Sequence, residues 1–349
     1  MMVEEIKERK KRILKAIIRK HIFTAKPIGS RTLAKSYDFG ISSATIRNEM
    51  ADLEDMGYLK QPHTSAGRIP SDKGYRFYVD VLMDQSEVPP SELKGSLQEF
   101  YEEKKGIQDI MSGMVNMLSR LTRYTTMISE PELNKSKIKK LEFIHVARKT
   151  ILIVLITDTG IVNNKVIRLN KSLNQEQLKE ISRYLYKRLK NKKLMALDKD
   201  FLNQVGNELM KRIDLSQQLL ELITQKLNNI AEPTNLRVFL GGTSYILDQP
   251  EFNNVSALKK VLKILDREEN LRELVNNLPN EELEVKIGHE NQLEEMQNCS
   301  IVCASYHLGD KAIGKIGVIG PTRMEYPRVI STVDIAADIL GKIISKVNE

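Results

Sequence analysis

The stretch Ser42-Ser43-Ala44-Thr45-Ile46-Arg47-Asn48-Glu49-Met50-Ala51-Asp52-Leu53-Glu54-Asp55-Met56-Gly57 sets the fold of the N-terminal quarter. Ser42 supplies an N-cap and Ile41 a hydrophobic staple. Ile46, Met50 and Leu53 follow at spacings of four and three, one apolar helix face, and Gly57 stops the helix. Upstream, Asp38-Phe39-Gly40 forms a tight turn, and a short helix through Tyr37 has Ser30 as its candidate N-cap. Further upstream, Glu4 to Phe23 is a basic helix with Ile6, Ile13, Leu14, Ile17 and Ile18 toward one side. Downstream, Tyr58 to Gln61 and Arg68 to Pro70 read as a hairpin whose tip is turned by Gly67. The next helix is capped by Ser71 or Asp72, and its aromatics pack beneath the hairpin. Two short helices joined by a tight turn and followed by a hairpin are the parts of a winged helix-turn-helix.

Charge agrees with that reading. Residues 1–80 hold 16 Lys/Arg against 10 Asp/Glu, so this first quarter carries six of the chain's net +8. A basic head on a nearly neutral body suggests a polyanion partner, while the plainer reading is a solvated basic face between Lys7 and Lys20. On the stop-signalled helix, Thr45, Arg47 and Asn48 lie away from the apolar face, near the N-terminus. Asp52, Glu54 and Asp55 crowd its far half, where phosphates would be repelled. The helix must therefore enter a major groove N-terminus first. Arg47 can bond guanine bidentately and Asn48 adenine. The candidate DNA-binding set is Ser42, Ser43, Thr45, Arg47 and Asn48 from the helix, with His63, Thr64, Ser65 and Arg68 from the hairpin.

The chain has 349 residues and room for two or three domains. Its longest apolar run, Ile151 to Ile156, is far too short for a membrane helix, and the charged start lacks a signal-peptide core. Two cysteines, Cys299 and Cys303, cannot build a disulfide framework, so the chain reads as soluble and cytoplasmic. Along one strand, Cys299, Cys303 and His307 would lie too far apart to share a metal, so no metal and no cofactor is expected. No phosphate loop or Gly-x-Ser-x-Gly elbow is present, which argues against an enzyme.

Several runs resemble the HrcA family, bacterial heat-inducible transcription repressors. They are Pro27 to Arg31, Ser42 to Met50, Leu53 to Leu59, His63 to Pro70 and Asp72 to Asp80, with looser matches at Phe239 to Thr243 and Gly317 to Met324. The resemblance implies an α+β multidomain protein: a winged helix-turn-helix, then a GAF-like domain interrupted by a largely helical dimerisation insert. It further implies a homodimer that binds double-stranded DNA at an inverted-repeat CIRCE operator and blocks chaperone operons, with a GroE-type chaperonin as partner. The alternatives are a ligand-sensing regulator whose GAF-like domain binds a metabolite, and an enzyme carrying a DNA-binding head.

The expected boundaries are residues 1–83 for the head and 84–122 for a linker, Gln85 to Gly95, leading into a heptad-patterned helix. That helix carries its seam from Leu93 to Leu121 and forms either a coiled coil or a brace on the body. The GAF-like domain is placed at 123–170 and 255–349, and the insert at 171–254. Strands are expected at Leu141–Ala147, Thr150–Thr157, Val162–Leu169, Arg237–Leu240, Leu283–Ile287, Cys299–Tyr306 and Lys311–Ile319. Helices are expected at Asn174–Lys190, Lys199–Ile230, 255–277 and Pro327–Val347.

Overall fold

The computed structural model describes residues 6–84, 106–131, 136–158, 160, 162–169, 172–197, 199–210, 237–278, 282–309 and 311–347. The linker, the first half of the heptad seam and the expected helix beyond Met210 lie outside these residues. The fold is mixed α/β, with helices packed on antiparallel sheets. Among the described residues, no helix is long and apolar enough to cross a membrane.

The N-terminal unit comprises α1 (Glu8–Thr24), α2 (Ser30–Ser36), α3 (Ser43–Asp55), the pair β1 (Leu59–Lys60) and β2 (Ile69–Pro70), and α4 (Asp72–Phe77). One π-helical turn, Tyr78–Leu82, extends α4. Ser42 caps α3 and Ser71 caps α4, each hydroxyl accepting a backbone N–H at 3.1 Å. Ser30, by contrast, is the first residue of α2; Gly29 holds the cap position and contributes no side-chain bond. The apolar faces of α1 and α3 close on each other through Ile13, Leu14, Ile17, Ile46, Met50 and Leu53, all buried.

The body is a five-stranded sheet in the order β7-β3-β10-β9-β8, antiparallel at every pairing. These strands are β3 (Thr125–Ser129), β7 (Val238–Gly241), β8 (Leu283–Ile287), β9 (Cys299–Leu308) and β10 (Lys311–Pro321). Period-two alternation sends Val302, Ala304 and Tyr306 to one face and Cys299, Ile301 and Cys303 to the other. The first face is covered by α5 (Ile107–Thr122) and α10 (Tyr326–Val347), the second by α8 (Val255–Leu265) and α9 (Glu268–Asn276). With helices on both sides, β9 reads as a nearly unbroken buried run. The described part of the heptad seam therefore braces the body: Ile110, Met111, Met114 and Leu118 are buried against the sheet and α10.

The sheet corrects the expected division of the chain. Strands β4 (Ile138–Ala147), β5 (Thr150–Thr157) and β6 (Val162–Arg168) do not join the five-stranded sheet; they form their own, in the order β4-β5-β6. Their inward side chains, Ile151, Ile153 and Leu155 among them, share a separate core with α6 (Gln175–Leu189) and α7 (Lys199–Met210). Conversely, β7 falls within the expected insert yet pairs with β3 in the main sheet, Ser129 opposite Val238. The inserted unit thus begins after β3 and ends before β7. The helical stretch expected at 255–277 is two helices, broken at Asp266 and Arg267.

Head and body share one apolar core, which runs from Ile6 to Ile344. At its centre the fully buried Tyr75 of α4 hydrogen-bonds Nδ1 of His21 at 2.7 Å and faces the Tyr326 ring, centroids 5.9 Å apart. Burial, reinforced by the charges of Arg323 and Lys60, pushes the His21 imidazole down from its ordinary 6.5 to about 4. The folded chain therefore keeps His21 neutral where the unfolded chain protonates it. Its contribution to stability is complete above about pH 6.5 and is lost as the pH falls toward 4. Between pH 6.5 and 4 the melting temperature of His21→Gln should fall less steeply than that of the parent. Parallel slopes by calorimetry would contradict this.

Candidate nucleic-acid interface

The turn between α2 and α3 is fixed locally. Gly40, at φ +65°, donates its N–H to Oδ1 of Asp38 at 3.0 Å, a backbone conformation that favours glycine. Ile41 and Phe39 pack against the core beside it. Helix α3 then starts under the Ser42 cap, whose Oγ also lies 3.0 Å from the Thr45 hydroxyl. Both hydroxyls, expected on DNA, thus serve first as helix-starting groups, although Ser42 stays exposed.

Arg47 and Asn48 stand on the outer face of α3, exposed and without an intramolecular partner among the described residues. Ser43 is half-buried. Two of the three acidic residues in the far half of α3 are paired, while Asp55 stays exposed. Asp52 pairs with Lys10 of α1 at 2.9 Å, and Glu54 with Arg68 at 2.6 Å. Hydrogen bonding to Asp52 raises the Lys10 pKa above its ordinary value.

That pairing reaches most of the basic run on α1. Arg9 and Lys10 meet Glu49, Lys11 meets Glu8, and Lys15 and Arg19 meet Asp84, at 2.6 to 3.5 Å. The charge excess in α1 is therefore largely spent on internal ion pairs. The exposed cations of this unit without an ion pair among the described residues include Lys7 and Arg12 at α1, Lys26 before α2, and Arg31, Lys35, Arg47 and Lys60 on α2, α3 and the hairpin. Arg31 and Lys35, absent from the candidate set, stand exposed on a short helix whose single buried residue is Leu33.

The hairpin carries His63, Thr64 and Ser65 exposed at its tip. The Gln61 amide braces it from inside, donating to the carbonyls of Thr64 and Ala66, both at 2.9 Å. Its base is pinned to the segment before α2: Ile28 and Arg68 exchange backbone bonds at 2.8 and 2.9 Å. Two expectations change here. Gly67 does not turn the tip; a Cβ there would sit 2.4 Å from the Ile28 carbonyl, so the residue is glycine to permit close approach. Arg68 does not project outward; its guanidinium is committed to Glu54 and ties the hairpin to α3.

Comparison with known proteins finds a match between residues 108–330 and the family model described as the HrcA protein C terminal domain. A Symbiobacterium thermophilum protein named heat-inducible transcription repressor HrcA is 39% identical over 340 residues, covering 97% of this chain and 98% of its own. A protein of the same name from Natranaerobius thermophilus is 41% identical, covering 97% of each chain. A crystal structure described as that of a hypothetical protein aligns with TM-score 0.67 at 24% identity, over 98% of this chain and all of that one. That likeness extends the fold to nearly the whole chain.

Gly67→Ala should displace the hairpin from Ile28 and lower stability by about 1–3 kcal/mol, the usual range for overpacking. Denaturant unfolding together with proteolysis of the hairpin should register it. An unchanged midpoint would show that the backbone at Ile28 yields freely.

Proposed function

The chain belongs to the HrcA family of heat-inducible transcription repressors, and from that premise we propose that its first 84 residues form a winged helix-turn-helix that reads an inverted-repeat operator. Repression of heat-shock genes is the function shared with its relatives. The observation that carries the DNA-reading proposal is the state of α3: Arg47 and Asn48 are exposed and unpartnered at its leading half, while Asp52 and Glu54 behind them are paired. The leading half can approach a major groove, and the acidic half is drawn back against α1 and β2. His63, Thr64 and Ser65 would follow the phosphates as the wing, with Arg31 and Lys35 as further backbone contacts.

The central sheet is read as the GAF-like domain and the unit between β3 and β7 as the dimerisation insert. Support for a homodimer through the insert comes from the outer face of β4-β5-β6. There Ile144, Leu152 and Val166 form one cross-strand row, with Val146 exposed near it and Val162 exposed opposite Ile156 on β6. An apolar sheet face open to water favours a second copy. The dimer would hold two heads on a CIRCE-type operator and block transcription sterically. A GroE-type chaperonin, implied by family membership, would maintain the active fold.

Binding to a CIRCE-type inverted repeat should exceed binding to a scrambled duplex at two salt concentrations, and added chaperonin should raise the active fraction. Equal, strongly salt-dependent binding to both duplexes would reduce the head to a general polyanion binder. Arg47→Ala should lower operator affinity by about 1–3 kcal/mol while leaving weak binding to scrambled DNA intact. A uniform loss on every duplex would assign Arg47 to phosphate.

A further inference from the structure

Of the four charged residues in the run Asp72 to Asp80, none used in DNA reading, two stand out, Asp72 and Arg76. Both reach across to the body. The Arg76 guanidinium forks the Glu290 carboxylate, Nε to Oε1 at 2.9 Å and Nη2 to Oε2, and Nη2 also donates to the Val285 carbonyl. Glu290 is itself held by the Ile287 N–H at 2.8 Å, so the fork closes on a fixed carboxylate. One turn earlier, Oδ2 of Asp72 accepts the His289 backbone N–H at 3.1 Å and lies 2.7 Å from its ring Nδ1. Between these partners sits Gly288 at φ +55°, where a Cβ would come within 2.0 Å of Asp72. A third clasp closes on another helix: Arg323, oriented by Glu251 and Gln249, donates to the carbonyl of Ile22 at 2.9 Å, near the end of α1.

We propose that these three clasps make Asp72, Arg76 and Arg323 positioning residues, which set the operator spacing the repressor accepts by fixing the rotation of each head on the body. The inference rests on the operator and dimer readings above. Two of the clasps leave from α4, the helix that follows β2 directly, so they lock the hairpin side of the head. The third locks the end of α1, and the Tyr75–Tyr326 contact is a further link between head and body. Contacts from two different helices of the head, at separate points on the body, resist rotation as well as translation. The Arg76–Glu290 and Asp72–His289 pairs are partly exposed and add little to folding on their own, which leaves geometry as what their bidentate bonds supply.

Each base pair added between two half-sites turns one about 35° around the duplex and moves it about 3.4 Å. Rigidly held heads engage both half-sites only at the matching spacer, whereas loosened heads follow a shifted half-site.

The test uses full-length protein and inverted repeats whose spacer is native or altered by one or two base pairs. The parent should lose about a hundredfold in affinity when the spacer changes by two base pairs, and the Asp72→Asn/Arg76→Ala double variant less than about tenfold. Arg76→Lys keeps the charge without the fork and should fall between them. Where the double variant melts early, Arg76→Lys and His289→Ala, which removes a mostly exposed ring, carry the test. Variants with parental melting and the parental spacing penalty would overturn the clasp alone. So would a parent that binds the repeat but tolerates every spacer. A parent that prefers no inverted repeat would overturn the operator reading, and the clasp with it.

Discussion

Burial of Tyr75 is the contact on which the other relations in this molecule depend. Its ring lies wholly inside the core, where α1 meets it through His21, α4 carries it, and α10 faces it through Tyr326. A buried phenol needs a partner for its hydroxyl, and the His21 nitrogen supplies one. That requirement forces the imidazole into the same apolar surroundings and holds it neutral. Tyr326 is anchored in turn by the Thr322 carbonyl at 2.6 Å and the Ser300 hydroxyl at 2.7 Å. The chain of contacts passes from the N-terminal unit to the central sheet without crossing solvent. The head is consequently a seated part of the structure, not a bead on a tether.

Electrostatics follow from that seating. A basic first quarter would ordinarily be assigned to DNA as a whole, yet α1 uses most of its cations to hold α3 and the end of the π-helical turn. The pairing costs positive potential on α1 and removes negative potential from α3, where Asp52 and Glu54 would otherwise oppose a phosphate backbone. The net effect moves the accessible charge toward α2, the leading half of α3 and the hairpin. Net charge per segment pointed to a polyanion partner for the head as a whole, and it could not say which of its cations are taken up by ion pairs.

Legibility in the sequence tracked the range of the interaction. Helix α3, with its cap, its four-and-three spacing and its glycine stop, was readable because each signal lies within a few residues of the next. The same holds for β5, β8 and β9, whose bounds were anticipated to within two residues. The partition of the chain was not readable, because β3 and β7 pair across more than a hundred residues and no local period records which sheet a strand joins. Gly67 and Arg68 failed for a related reason. Both look like tip residues beside His63 to Ser65, but their partners, Ile28 and Glu54, come from other elements. Arg76 was visible only as a motif residue, since Glu290 lies 214 positions away.

The topology of the insertion explains how one chain can divide its tasks. The inserted unit leaves after β3 and returns at β7, and these strands are paired neighbours, so its two connections start side by side on the main sheet. A unit joined at adjacent points can keep a core of its own, and this one does: the residues around Ile153, Leu155 and Ile181 form a cluster distinct from both faces of the main sheet. Its outer sheet face exposes Ile144, Val146, Val162 and Val166 among polar neighbours, while the head is joined to the body's core and to the turn after β8. In the proposed reading, assembly and DNA contact fall to separate cores, with the five-stranded sheet between them. Symmetric DNA demands a separation of this kind, because a dimer contact can place two heads at a defined distance only if whatever joins contact to head does not bend.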